Sequence, residues 1–211
     1  MPQYGVNKNS TVHLVQHSKN ALGKMAIYIV TYTGPFGYLK PWTAVRDGET
    51  YSQQFLTPSV IEGMRQKLGV SQILRHRLSY DALSQQQEVV HARAFKEDRK
   101  GRILGRDRGI LVRNVLLNPV LHLAFSTRED AERAARQHLC LCRNEDVVLP
   151  QGPVRELALE NFEALDGFEL RFTAATDPGS FLVGFNRFAA NAPMYGQLAI
   201  TGRAVRYLPQ S

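Results

Sequence analysis

The stretch AIYIVTYTGPFGYLKPWTAVRDGETYSQQFLTPSVIEGM, residues 26–64, decides the fold. Its first eight residues, Ala26 to Thr33, are β-branched and aromatic in the density that a half-buried strand favours. Gly34 and Pro35 end that strand, since neither continues a ladder well. A loop punctuated by glycine and proline and rich in aromatics follows. Thr57-Pro58-Ser59 then starts a helix: Thr57 is placed to cap it, and Pro58 fits the first helical position, where no backbone N–H is needed. Val60, Ile61, Met64 and Leu68 form an apolar stripe at helical spacing, and Gly69 closes the helix as a C-terminal glycine does.

Upstream, residues 1–24 are polar and mixed, and Met25 stands directly before the strand. This leader reads either as a loosely ordered arm or as an upstream start. It carries no basic start leading into an apolar run, so no signal peptide is expected. The longer apolar stretches, such as Ala26 to Val30 and Phe181 to Phe185, have strand length, which argues against a membrane span.

Downstream, residues 70–113 change character. Arg75, His76, Arg77, Arg93, Lys96, Arg99, Lys100, Arg102, Arg106, Arg108 and Arg113 crowd this segment, and Gly101, Gly105 and Gly109 sit among them. From Lys96 to Arg113 there are seven basic residues against Glu97, Asp98 and Asp107. The segment reads as an extended, mobile, basic hairpin or loop. Val115 to Phe125 is a long strand or a pair broken near Pro119. Ser126-Thr127-Arg128-Glu129 matches a capping box, with Ser126 as cap and Glu129 reaching back, and the helix is expected to run to about Leu139. Short strands are expected at Val147 to Leu149, Phe168 to Ala174, Phe181 to Phe185 and Leu198 to Tyr207.

This order predicts an α+β domain, RRM-like or ferredoxin-like, over residues 25–211, with a basic insertion at about 70–113 and extra C-terminal strands. Such a sheet offers a face or an edge to single-stranded RNA. The chain has 211 residues, 44% of them hydrophobic, enough for a sizeable core. Lys and Arg total 26 against 19 Asp and Glu, a formal charge of +7, which favours an anionic partner. Cys140 and Cys142 are too close together to staple a fold, and with His138 they lack a fourth ligand for tetrahedral zinc, so they read as reduced thiols of a cytoplasmic protein. No metal or other cofactor is expected.

Residues 34–64 resemble the start of the Cas-five family of CRISPR proteins, within the RAMP superfamily. Gly34, Pro35, Phe36, Lys40, Pro41, Trp42, Arg46, Thr57, Pro58, Ser59 and Gly63 occupy the places of the family's Gly-containing loop and its Thr-Pro-Ser helix start. Arg106 to Phe125 is similar, more weakly, to the strand returning from the family's basic thumb. Together the matches cover about half the chain, and the C-terminal third matches poorly. The resemblance implies a subunit of a type I or type IV effector complex that binds the 5′ handle of a guide RNA. It also implies neighbouring backbone and large or small effector subunits, target DNA met only through the guide, and no membrane. The RNA-binding candidates are Lys40, Trp42, Arg46, Ser59, Arg75, Arg77, Arg93, Lys96, Arg99, Lys100, Arg102, Arg106, Arg108 and Arg113. Arginine and lysine would contact phosphates, and Trp42, Tyr38 and Phe36 would stack on bases.

Two other readings stay open. One branch of the family cleaves repeat RNA without metal, using Tyr after the first helix and a later Lys-His pair. Here the helix ends Lys67-Leu68-Gly69 and the nearest later pair is Gln137-His138, leaving His76 and Tyr80 as substitutes. The other is a single-strand RNA binder outside any such complex. P-loop, GxSxG and HExxH signatures are absent from the sequence. His122, inside an apolar strand, reads as a core histidine.

Overall fold

A computed structural model of the chain describes residues 26–41, 48–91, 95–186 and 190–207. Alternation along the first strand, β1 (Ala26–Thr33), sorts the two faces of the main sheet. Val30 and Tyr32 point into the larger core, while Ile27 and Ile29 enter a smaller one on the opposite face. Helix α1 (Pro58–Leu68) contributes Met64 and Leu68 to the larger core, and helix α2 (Arg128–Ala134) contributes Ala131 and Ala134. The Tyr32 hydroxyl donates to the Ala134 carbonyl at 2.7 Å, tying β1 to the end of α2.

Four strands meet under these helices: β1, β4 (Arg75–Ser79), β9 (Val120–Phe125) and β11 (Val147–Ala158). With β10 (Leu139–Cys140), β12 (Gly167–Thr173), β13 (Phe181–Asn186) and β14 (Ala192–Thr201) they form a sheet in the order β10-β11-β1-β9-β4-β12-β14-β13. Every neighbouring pair in it is antiparallel. The fold is α+β, and the C-terminal strands extend the sheet as expected. A short helix, α3 (Leu159–Glu163), lays Phe162 over the smaller core beside Ile27, Ile29 and Ala124.

The sequence reading holds at several boundaries and shifts at others. Gly69 ends α1 with φ +65°, the left-handed region glycine favours. Thr57 precedes the helix without a side-chain cap bond; its hydroxyl lies 3.1 Å from that of Ser59 instead. At α2 the cap is Thr127, which accepts from the Asp130 N–H, and not Ser126. Glu129 pairs with Arg133 rather than reaching back. The helix stops at Ala134, and Leu139 belongs to β10, paired with Val148. The break near Pro119 is real: Asn118, with φ +46°, turns β8 (Arg108–Leu117) into β9. The final strand ends at Thr201, short of Tyr207.

The basic insertion begins later than its expected start near residue 70. Residues 75–79 are β4, a main-sheet strand whose His76, Arg77, Leu78 and Ser79 are buried. The ribbon that leaves the sheet is β5 (Leu83–His91) paired with β8, in unbroken antiparallel register from Leu83↔Leu116 to His91↔Arg108. At its root β8 also pairs with β2 (Phe36–Gly37) and, in parallel, with β3 (Glu49–Tyr51). At its far end β6 (Lys96–Glu97) and β7 (Ile103–Gly105) form a small second hairpin.

Candidate nucleic-acid interface

The tip of the ribbon is built by one aspartate. Asp98 Oδ1 accepts from the backbone N–H groups of Lys100 and Arg102 at 2.8 and 2.9 Å, and Oδ2 accepts from Arg102 Nε at 2.7 Å. Gly101 supplies the positive φ, +75°, that this turn requires. The turn leaves Arg99 and Lys100 exposed.

The structure divides the seven basic residues between Lys96 and Arg113 into two groups. Lys96 pairs with Asp107 at 2.5 Å, Arg102 with Asp98, and Arg113 with Glu88. Arg99, Lys100, Arg106 and Arg108 are exposed and have no carboxylate within ion-pair distance among the described residues. Arg106 lies over the Phe95 ring, 4.1 Å from its centroid. Charge counting did not register the apolar side chains among these cations: Val89, Phe95, Ile103, Leu104 and Ile110 are each at least half exposed. The far end of the ribbon thus alternates exposed guanidinium, ammonium and apolar groups.

The ribbon's root is held by arginines on an aromatic ring. Tyr38, expected to stack on bases, is 1% exposed, and its hydroxyl lies 2.9 Å from that of Thr50. Arg113 and Arg143 approach its ring at 5.0 and 5.6 Å. Arg143, which sequence reasoning missed, donates from Nη2 to Gln86 on β5 and is paired with Asp146, whose side chain is fully buried. Arg113 is thus a support of the ribbon, tied to Glu88 and Tyr38.

Arg75 and Arg77 are separate from the ribbon. They lie on the α3 face of the main sheet, in a cluster with Arg171 and Glu169 of β12 and Glu163 of α3. Glu169, 1% exposed, accepts from Arg75 Nη2 at 2.7 Å, Arg77 Nη1 at 2.8 Å and Arg171 Nε at 2.9 Å. Burial alone would raise its carboxyl pKa, but the hydrogen bond and charge of Arg75, with the charge of Arg77, hold it below the ordinary carboxylate value. Arg77 is fully buried, so it cannot serve as a surface phosphate contact; its charge is already spent on Glu169 and Glu163. The partners lie more than 80 residues away along the chain, which is why the RHR run looked like free charge.

His76 and Tyr80, the substitutes for a nuclease pair, are each 2% exposed. Leu170 N–H points to His76 Nε2 at 3.4 Å, and burial pushes the ring's pKa down to about 4. Tyr80 accepts from Gln54 and stacks on Phe168. His122 is half-buried beside the Thr31 hydroxyl at 2.9 Å, with its pKa also about 4 through burial. Ser59 is exposed on the first turn of α1, and Lys40 is exposed beside Leu39. Trp42, Arg46 and Arg93 lie outside the described residues.

No family model matches the chain, and no curated protein matches it. Among solved structures, it is similar to a chain of a "CRISPR RNA-guided surveillance complex". The match covers 83% of this chain and 90% of that one, at 13% sequence identity and a TM-score of 0.47. Both values are too low for a shared function to follow from them.

Proposed function

We propose that the chain is a guide-RNA-binding subunit of a CRISPR effector ribonucleoprotein, which holds the 5′ handle of the guide with the β5–β8 ribbon and catalyses no reaction. The observation that carries this reading is the ribbon's far end, where Arg99, Lys100, Arg106 and Arg108 stand exposed without carboxylate partners among the described residues. Phosphates would supply those partners, with counterions released in exchange. The resemblance of residues 34–64 to the Cas-five family gives the RNA its identity as a guide. The strand order β11-β1-β9-β4, with α1 between β1 and β4 and α2 between β9 and β11 along the chain, supports an RRM-like or ferredoxin-like core. Backbone and large or small effector subunits would be its neighbours in the cytoplasm, and target DNA would be met through the guide.

The non-catalytic reading draws on the burial of His76 and Tyr80, which keeps both from a scissile phosphate. Its test is an incubation with CRISPR repeat RNA in EDTA, alongside binding of the same RNA with and without its 5′ handle. Tight, handle-dependent binding without cutting is expected. Specific cleavage lost on His76→Ala would replace the proposal with a nuclease, and equal affinity for any single strand would replace it with a general RNA binder.

A further inference from the structure

Strand β8 lies between β5 and β3, and the registers on its two sides set which side chains share a face. Tyr51, Asn114 and Gln85 form one row across the three strands, and Glu49, Val112 and Gln87 form the next. Val89 with Ile110, then His91 with Arg108, continue the same face toward the far end. Along β5 every residue of this face is exposed, whereas the alternate residues are half-buried on the other side. Arg113 and Gln86, through which Tyr38 and Arg143 support the ribbon, belong to that other side. The support therefore leaves the first face bare.

The bare face changes character along its length. It is cationic at Arg108 and apolar at Val89 and Ile110, but near the root it carries Glu49. This carboxylate is held differently from its neighbours. Glu88, Asp98 and Asp107 are each paired with a cation. Glu49 is exposed and has no cation within ion-pair distance among the described residues. Its Oε1 accepts instead from two amides, Asn114 Nδ2 at 2.8 Å and Gln85 Nε2 at 3.3 Å. Asn114 is buried and also donates to the Thr50 carbonyl, so it fixes the carboxylate in place. Amides leave the charge uncancelled and lone pairs vacant. Beside it on the same face stands Tyr51, 56% exposed. The charge of Glu49, and a hydrogen bond to it, raise the Tyr51 pKa, which places the hydroxyl against the carboxylate.

An uncancelled carboxylate repels phosphate, so the part of an RNA that it accepts is a base carrying N–H donors. Guanine presents two adjacent ones, N1–H and the N2 amino group, in the spacing that a carboxylate takes two at a time. We propose that the bare face at the ribbon's root is a guanine-selective base site. Tyr51 stacks on the base, and the Glu49 carboxylate accepts from its N1–H and N2 amino group, with the exposed Gln85 giving way. The site rests on the RNA-binding reading given above. Arg108 lies four residues along β8 from Val112, the register partner of Glu49, or about 13 Å at ~3.3 Å per residue. A short length of one strand spans both.

The test is fluorescence anisotropy on the full chain in EDTA, with three labelled 12-nucleotide RNAs: all uridine, alternating guanosine and uridine, and alternating inosine and uridine. Inosine lacks the N2 amino group. The guanosine RNA is expected to bind about tenfold tighter than the uridine RNA, with the inosine RNA between them. Glu49→Gln keeps the shape of the side chain but offers a single, uncharged acceptor oxygen; it is expected to bring the three affinities within about twofold of one another. Tyr51→Ala is expected to weaken the guanosine RNA about fivefold, the low end for one lost base stack. Thermal melts accompany each variant; if Glu49→Gln does not fold, the parent's ranking of the three RNAs and Tyr51→Ala decide. A parent without preference for the guanosine RNA, or a Glu49→Gln variant that keeps the preference, would overturn the site. If charge reversal of Arg99, Lys100 and Arg108 still weakens binding in that case, the ribbon reading stands. A parent chain that binds no RNA would overturn both.

Discussion

Arg77 Nη1 donates to Glu169 Oε2 at 2.8 Å with the two side chains 0% and 2% exposed, so each charge depends on the other for solvation. The pair seats β12 against β4 where only one ladder position is formed. Removing one partner leaves the other charge stranded out of water.

Glu169→Leu is therefore expected to destabilise the fold by about 3–5 kcal/mol, because it strands Arg77 and also strips partners from Arg75 and Arg171. Urea unfolding measures this. A loss under about 1 kcal/mol would mean that the guanidiniums find other partners or water.

Stability is expected to fall as the solution is acidified from pH 7 to pH 5. His76 and His122 have folded pKa values of about 4, against 6.5 for a free ring. Between those values the unfolded chain binds more protons than the folded one, so the contribution present above pH 6.5 is lost as pH falls toward 4. The loss amounts to roughly 3 kcal/mol per ring over that whole range. Glu163 and Glu169, both held below the ordinary carboxylate value, extend the decline into stronger acid. Denaturation midpoints at pH 7, 6 and 5 follow the trend, and His76→Gln should flatten it. A flat parent profile would show that these rings are not held neutral by burial.

Much of the scaffold was legible in local chemistry. The β-branched run of β1, the Thr57-Pro58 start and Gly69 stop of α1, and the break at Asn118-Pro119 are each fixed by residues within a few positions of one another. At α2 the same rules gave the helix but set its cap one residue early, since Ser126 and Thr127 both suit the role and backbone geometry chose Thr127. What the sequence hides is long-range pairing. Arg75 and Arg77 read as free charge because Glu163 and Glu169 are remote along the chain, and the thumb was drawn too wide for the same reason. Tyr38 looked like a stacking ring, and only the fold shows it beneath Arg113 and Arg143.

Arg143→Ala is expected to loosen the ribbon's root. It leaves Asp146, fully buried, without its guanidinium and removes the contact to Gln86 on β5. Hydrogen exchange should then show faster exchange across β5 and β8, with a global loss of about 3 kcal/mol. Unchanged protection in both strands would mean that β2 and β3 alone anchor the ribbon.

The salt dependence of RNA binding by the Arg99→Glu, Lys100→Glu, Arg108→Glu triple variant tests the central claim most directly. If these three side chains meet phosphates, the plot of log affinity against log salt becomes shallower by about 2 relative to the parent, at ~0.7 per phosphate contact on a single strand, and affinity at low salt drops steeply. A variant that binds with the parent's affinity and the parent's slope would contradict the account.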